Sequence, residues 1–220
     1  MTKIILSLET KESLDIIPYL GKYIDGVKIN HLLWNELDFD VEEGKELFVD
    51  FKLWDTPNTV KTVVESIIKK GGTMTTISTF NNESVFDELV QYKDDIKLLA
   101  VTYLTSWNPE EQRQIAKDMP YNMWHDHIAR IRHKGFRGII CSPLDIVQIK
   151  HEDFMHDLYR VCPGITYGNK TSGQVRTTTP KEAQDLGADY IVVGRAITES
   201  SNPVETAMKL KEEICSVEMK

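Results

Sequence analysis

Short apolar blocks alternate along the chain with longer stretches whose apolar positions recur every three or four residues. Lys3 to Leu8, Gly26 to Ile29, Glu46 to Lys52, Thr73 to Ser78 and Ile96 to Leu104 read as strands, as do Arg137 to Cys141, Asp157 to Cys162 and Asp189 to Val193. Ile96 to Leu104 is apolar almost throughout, as expected of a strand covered on both faces. Between the strands lie helical patterns. Ser13 to Tyr23 carries Leu14, Ile17 and Leu20 on one side, and Pro57 to Lys70 has a stripe of Val60, Val63, Val64, Ile67 and Ile68 that stops at Gly71. Glu83 to Tyr92, two pieces from Pro109 to Lys134 broken at Pro120, Pro143 to Ile149, Pro180 to Leu186 and Pro203 to Val217 complete the helical set. Gly164 to Thr178 lacks periodicity and is rich in Gly, Thr, Asn and Ser, the composition of a mobile loop. Strands alternating with helices predict an α/β protein with a parallel sheet. At 220 residues the closed (β/α)8 TIM barrel fits best, with a doubly wound open sheet second. No repeat, low-complexity tract or boundary divides the chain, so a single domain over residues 1–220 is expected.

Composition narrows the partners. Hydrophobic residues at 41% and charged ones at 27% are ordinary for a globular protein. A formal net charge of −8 disfavours nonspecific binding to nucleic acid or to an anionic membrane. An anionic small-molecule substrate would need a local basic pocket against that field. Cys141, Cys162 and Cys215 form no close sequence pairs and are odd in number, which argues against a disulfide framework and fits a reducing, cytoplasmic setting. Ile4-Ile5-Leu6 is too short for a signal peptide and Glu9 soon follows, while no stretch approaches the ~20 apolar residues of a membrane span.

The chemistry concentrates in Val49-Asp50-Phe51-Lys52-Leu53-Trp54-Asp55-Thr56-Pro57-Asn58-Thr59. Leu47, Val49, Phe51 and Leu53 take one face of the strand, so Asp50 and Lys52 share the other. Asp55 follows at the turn, and Pro57 suits the first position of the next helix. Charges on one face of a core strand are costly unless paired, so the cluster is either an ion pair at a solvated strand end or a catalytic site. Other polar residues stand at strand ends too: Glu9, Lys28, Thr105 with Ser106, Pro163-Gly164 and Gly194-Arg195. In a barrel these ends converge on one mouth. Gly194 and Arg195 lie between a strand and a helix start, a setting that favours an anion, although an arginine there also fits a surface helix start. His125-Asp126-His127 does not match a metal pair, because positions i and i+2 on a helix face different sides. Gly71-Gly72 reads as a helix stop, and Trp107 and Trp124 as packing residues.

Asp50-x-Lys52-x-x-Asp55-x-Pro57-Asn58-Thr59 resembles the signature of the orotidine 5′-phosphate decarboxylase family. The resemblance continues in order along nearly the whole chain. Asp25 to Ile29 is similar to the family's second strand, Ala100 to Ser106 to its fifth and Cys141-Ser142 to its sixth. Cys162 to Ile165, then Gly173-Gln174 and Thr179 to Ala183, are similar to the start and end of its phosphate loop. Ile191 to Ile197 is similar to the phosphate-binding eighth strand.

The resemblance implies conversion of orotidine 5′-phosphate to uridine 5′-phosphate and carbon dioxide in pyrimidine biosynthesis, with no metal and no cofactor. It assigns Lys52 as proton donor to the C6 carbanion, with Asp50, Lys28 and Asp55 completing the charge array. Contacts of that kind at ~4 Å are worth about 4 kcal/mol each at an intermediate dielectric. Glu9, Thr59, Thr105, Ser106, Pro163, Gln174, Gly194 and Arg195 would bind substrate, with Asp55 and Thr59 reaching a neighbouring subunit's site in a homodimer. Two positions depart from the family: Glu9 stands where aspartate is usual, and Thr166 where bacterial relatives often carry a phosphate-binding arginine, a loss that Lys170 or Arg176 would offset. Two other functions compete. The sister sugar-phosphate decarboxylases and hexulose-phosphate synthases share Asp-x-Lys-x-x-Asp but use a metal and place glutamate at the position of Lys28. A catalytically impaired, nucleotide-binding homologue is the other.

Overall fold

The structure is a computed structural model that describes residues 1–35, 41–116, 120–149, 157–168 and 176–215. Its strands are β1 (Lys3–Ser7), β2 (Gly26–Ile29), β3 (Glu46–Leu53), β4 (Met74–Ser78), β5 (Lys97–Val101), β6 (Gly138–Ile140), β7 (Tyr159–Cys162) and β8 (Tyr190–Val193). They close into a parallel barrel in chain order, with β8 pairing back onto β1. The helices are α1 (Ile17–Leu20), α2 (His31–Trp34), α3 (Pro57–Lys69), α4 (Glu83–Leu89), α5 (Pro109–Ala116), α6 (Pro120–His133), α7 (Pro143–Ile149), α8 (Pro180–Leu186), α9 (Arg195–Thr198) and α10 (Pro203–Cys215).

Period-two alternation sorts the apolar residues into two layers. Ile5, Phe48, Met74, Leu99, Val161, Tyr190 and Val192 fill the barrel interior. Ile4, Leu6, Val27, Leu47 and Val49 point outward and pack in one cluster with Val60, Val64 and Ile67 of α3. Each such side chain contributes about 1.5–3 kcal/mol when taken fully out of water. The α3 stripe ends where Gly71 adopts a left-handed φ of 80°, which glycine accepts without a Cβ clash.

At the amino-terminal mouth the barrel is closed by a polar plug. Glu46 accepts from Thr73 Oγ1 at 2.7 Å, from Lys97 Nζ at 2.9 and 3.1 Å, and from the Tyr190 hydroxyl at 3.1 Å. Burial alone would push its carboxyl up, but these donors and the lysine charge outweigh burial and hold it below the usual carboxylate range. Burial and the Glu46 charge push the Tyr190 phenol up.

The expected barrel is therefore the observed one, and the differences are local. Ser13 to Tyr23 is not one helix but a 3-10 stretch, Lys11–Ile16, followed by the single turn α1. Pro18 lacks an N–H and is tolerated only in a first turn, so it restarts the helix. α2 carried no periodic signal; Asn30 creates it by accepting from the N–H groups of Leu32 and Leu33. β5 stops at Val101, three residues before the apolar run ends, and the remainder turns over the carboxyl-terminal rim. Among the described residues no helix is long and apolar enough to cross a membrane.

Candidate active site

At the carboxyl ends of β2 and β3 three charged side chains meet. Lys28 projects from β2 on the side opposite Val27 and Ile29, which are buried among the helices. Its Nζ lies 3.2 Å from Asp50 Oδ2, and Lys52 Nζ lies 2.8 Å from Asp50 Oδ1. The Asp50 side chain is 13% exposed and that of Lys52 43%, so the carboxylate forms the floor and the Lys52 ammonium faces open space. Burial opposes ionisation of Asp50. The Lys28 and Lys52 charges, with hydrogen bonds from Lys52 and Thr76, outweigh it and hold the carboxyl below its ordinary value.

The strand is distorted beside this charged cluster. β3 and β4 pair in step at Val49 with Thr75, then resume at Leu53 with Ile77, so β3 spends three intervening residues against one on β4. Within this bulge Lys52 has φ of 51°, the only positive φ of a non-glycine residue among the described residues. Bulges beside active sites re-aim side chains in this way.

The charged cluster opens into a cleft of about 300 Å³. Besides Lys28, Asp50 and Lys52, the expected residues Glu9, Thr105, Ser106, Pro163, Gly194 and Arg195 all line it. Gly194 is pressed against β1: a Cβ there would come 3.3 Å from the Cβ of Ser7, a tight approach that glycine avoids. Arg195 begins the single turn α9 beyond β8, so it enters the cleft from a strand adjacent to β1 while the lysines enter from β2 and β3. Gly164 takes a left-handed φ of 84° after β7, and the strand-like bridge Ile165 to Thr178 ties the two stems of the following loop together.

Other expected residues lie elsewhere. Asp55 and Thr59 are exposed and do not line the cleft; Asp55 Oδ1 accepts from the Thr56 N–H at 2.6 Å, and the Thr59 hydroxyl lies 3.0 Å from that of Thr56. Within one chain the charge array is thus Lys28–Asp50–Lys52, without its fourth member. Gln174 and Lys170 fall outside the described residues. Arg176, read as an alternative phosphate ligand, is instead ion-paired with Asp145, which also accepts from the Ser142 N–H at 3.1 Å. That pairing takes its guanidinium to α7, and it does not line the cleft. Trp124 is buried and Trp107 packs against the core, as their packing role requires. The His127 Nδ1 lies 2.8 Å from the Thr79 hydroxyl. Among the described residues no group of three His, Cys, Asp or Glu side chains is arranged to hold a metal.

Sequence reasoning missed Ser7 and Tyr103, which also line the cleft, and Thr76, which touches both Asp50 and Lys52. Each sits in a strand or apolar run where serine, tyrosine or threonine carries no distinguishing pattern.

A closed parallel barrel with converging charges at its carboxyl-terminal mouth is the architecture of a TIM-barrel enzyme. More particularly, the chain belongs to the orotidine 5′-phosphate decarboxylase / HUMPS family, whose model matches residues 2–210. It is 32% identical over 223 residues to orotidine 5′-phosphate decarboxylase of Dictyoglomus thermophilum, covering 94% of this chain and 89% of that one. To the Wolbachia pipientis enzyme of the same name it is 34% identical over 222 residues, covering 94% and 96%. The crystal structure of orotidine 5′-phosphate decarboxylase from Lactobacillus acidophilus superposes with a TM-score of 0.77 at 28% identity, over 97% of this chain and 99% of that one. The enzyme of that name from Pyrococcus horikoshii gives 0.75 at 25% identity, over 97% and 100%.

Proposed function

We propose that this chain decarboxylates orotidine 5′-phosphate to uridine 5′-phosphate and carbon dioxide, without metal or organic cofactor, in pyrimidine biosynthesis. The observation that carries the reading is the Lys28–Asp50–Lys52 array at the mouth of a barrel of this family. Loss of carbon dioxide breaks the bond from C6 to the carboxylate and leaves the electron pair on C6. Lys52, the more exposed ammonium, stabilises that charge and donates the proton that C6 takes up, later regaining one from water. Asp50 holds the Lys52 head in place before substrate arrives, and Lys28 braces Asp50 from the neighbouring strand. Such preorganisation needs no movement of charge-bearing groups during the reaction.

The remaining assignments follow the family resemblance. Arg195, the Gly194 backbone and Gln174 take the phosphate, with Pro163 at the start of the phosphate loop. Thr105 and Ser106 meet the pyrimidine, and Glu9 accepts hydrogen bonds from the ribose hydroxyls. The phosphate is remote from C6, so its binding energy serves to position the ring. Asp55 and Thr59 act across a homodimer interface. Their exposure, and that of Trp54 at 72%, supports a surface completed by a second copy. Lys28 favours this reading over the metal-assisted sister activities. Incubating the purified protein with orotidine 5′-phosphate in excess chelator should show the loss of orotate absorbance. Activity that disappears in chelator and returns with magnesium would transfer the chain to the sister branch.

A further inference from the structure

Thr76 is fully buried on β4, does not line the cleft, and yet contacts both residues at the centre of the charge array. Its hydroxyl oxygen accepts from the Lys52 backbone N–H at 2.8 Å and donates its own proton to Asp50 Oδ1 at 2.9 Å. It faces the barrel interior one step above Met74, whereas Thr75 turns the other way and donates to the Val49 carbonyl at 2.9 Å. The two threonines are adjacent but serve different parts of the strand.

The reason lies in the bulge. Between Val49 and Leu53 the β3–β4 register shifts, so the regular ladder is interrupted just where Lys52 needs a partner for its N–H. A backbone donor left without an acceptor is destabilising. The same stretch carries a left-handed residue, a conformation unfavourable for a lysine and held only by its surroundings. The Thr76 hydroxyl supplies the missing acceptor. Having accepted from Lys52, it has one proton left to donate, and that proton goes to the carboxylate oxygen that also receives the Lys52 ammonium.

We propose that Thr76 is a positioning residue for decarboxylation: one hydroxyl locks the Lys52 backbone into the bulge and aims Asp50 Oδ1 at the Lys52 ammonium. It never touches substrate and acts through the two residues that do. The inference rests on the decarboxylase reading above. Thr76 also favours the ionised form of Asp50, consistent with this role. Valine removes the hydroxyl at nearly constant volume, and serine keeps it while losing the methyl.

With orotidine 5′-phosphate as substrate, Thr76→Val should lower kcat about 10- to 100-fold and leave KM within about threefold, because the lost interaction serves the reacting end. Thr76→Ala should behave like valine and stands in for it if the valine variant does not fold. Thr76→Ser should return kcat to within about threefold of wild type. A separate reading needs no turnover: the Lys52 amide should exchange with solvent at least about tenfold faster in Thr76→Val or Thr76→Ala than in wild type. Wild-type kcat in the valine or alanine variant would overturn the proposal, and so would serine as impaired as valine, which would make the methyl the active part. Unchanged Lys52 amide exchange would overturn it as well. Wild-type protein inert toward orotidine 5′-phosphate would instead overturn the assigned reaction, with amide exchange still testing the hydroxyl's hold on Lys52.

Discussion

Lys52 Nζ and Asp50 Oδ1 stand 2.8 Å apart although the two residues belong to the same strand, two positions from one another. Side chains so spaced on a regular strand leave the backbone about 6.6 Å apart and run parallel. Here the chain departs from strand geometry at Lys52, with φ of 51°, and the ammonium folds back onto the carboxylate. The pair is therefore built by the backbone as much as by charge. Asp50 has Lys28 as a second partner, so it stays compensated when Lys52 is removed.

This asymmetry gives the first prediction. Lys52→Ala should keep its fold, since Lys28 still neutralises Asp50, yet lose at least about a thousandfold in kcat, because in the proposed reaction one group both stabilises charge and delivers the proton. Circular dichroism and single-turnover absorbance would check the two halves. A variant within tenfold of wild type would remove Lys52 as proton donor.

Arg195 reaches the cleft from α9, whereas Arg176 is committed to Asp145. Arg195→Ala should weaken binding of uridine 5′-phosphate by about 10- to 100-fold, the loss of a charge-assisted contact, while binding of uridine changes little. Arg176→Ala should leave the ratio of the two affinities unaltered. Calorimetric titration with both ligands tests this; equal losses for uridine and its phosphate in Arg195→Ala would place the phosphate elsewhere.

Asp55 lies outside the cleft of its own chain, so its assigned role requires a second subunit. Lys52→Ala and Asp55→Ala should each be impaired alone and should complement when mixed and allowed to exchange subunits. A heterodimer would then hold one site with both lesions and one with neither. Recovery approaching a quarter of wild-type activity is expected from random pairing: roughly half the dimers carry one intact site of two. Absence of recovery despite proven subunit exchange would return Asp55 to its own chain's site.

The barrel was legible because its strands and helices differ in period, and Asp50 with Lys52 was legible because alternation placed two charges on the wrong face for a core. Glu9, Lys28 and Arg195 followed from their places at strand ends. What stayed hidden depends on pairing between strands. Met74-Thr75-Thr76-Ile77-Ser78 reads as an ordinary β-branched strand, and nothing in it tells that Thr76 fills a gap in the β3–β4 ladder. The destination of Arg176 was equally hidden, because Asp145 lies on a separate helix. Glu46 reads in sequence as the start of a strand, and its place at the centre of the plug depends on Thr73, Lys97 and Tyr190 from three other strands or their approaches.

That plug sets a pH-dependent part of the stability, separate from the reaction. Glu46 has a folded pKa below its unfolded value, so its pairing with Lys97, Thr73 and Tyr190 stabilises the fold above the unfolded carboxylate value near 4.3. That contribution is lost as pH falls from there through the depressed folded value. Glu46→Gln should retain the shape but lose the charge facing Lys97, costing about 2 kcal/mol at pH 7, or roughly 4–8 °C in Tm for a chain of this size. Below the folded value wild-type Glu46 is itself neutral, so the two proteins should converge. Urea melts of both across pH 7 to pH 3 would trace the difference. A gap that does not narrow on acidification would mean that the glutamine disturbs packing and that the charge contributes nothing.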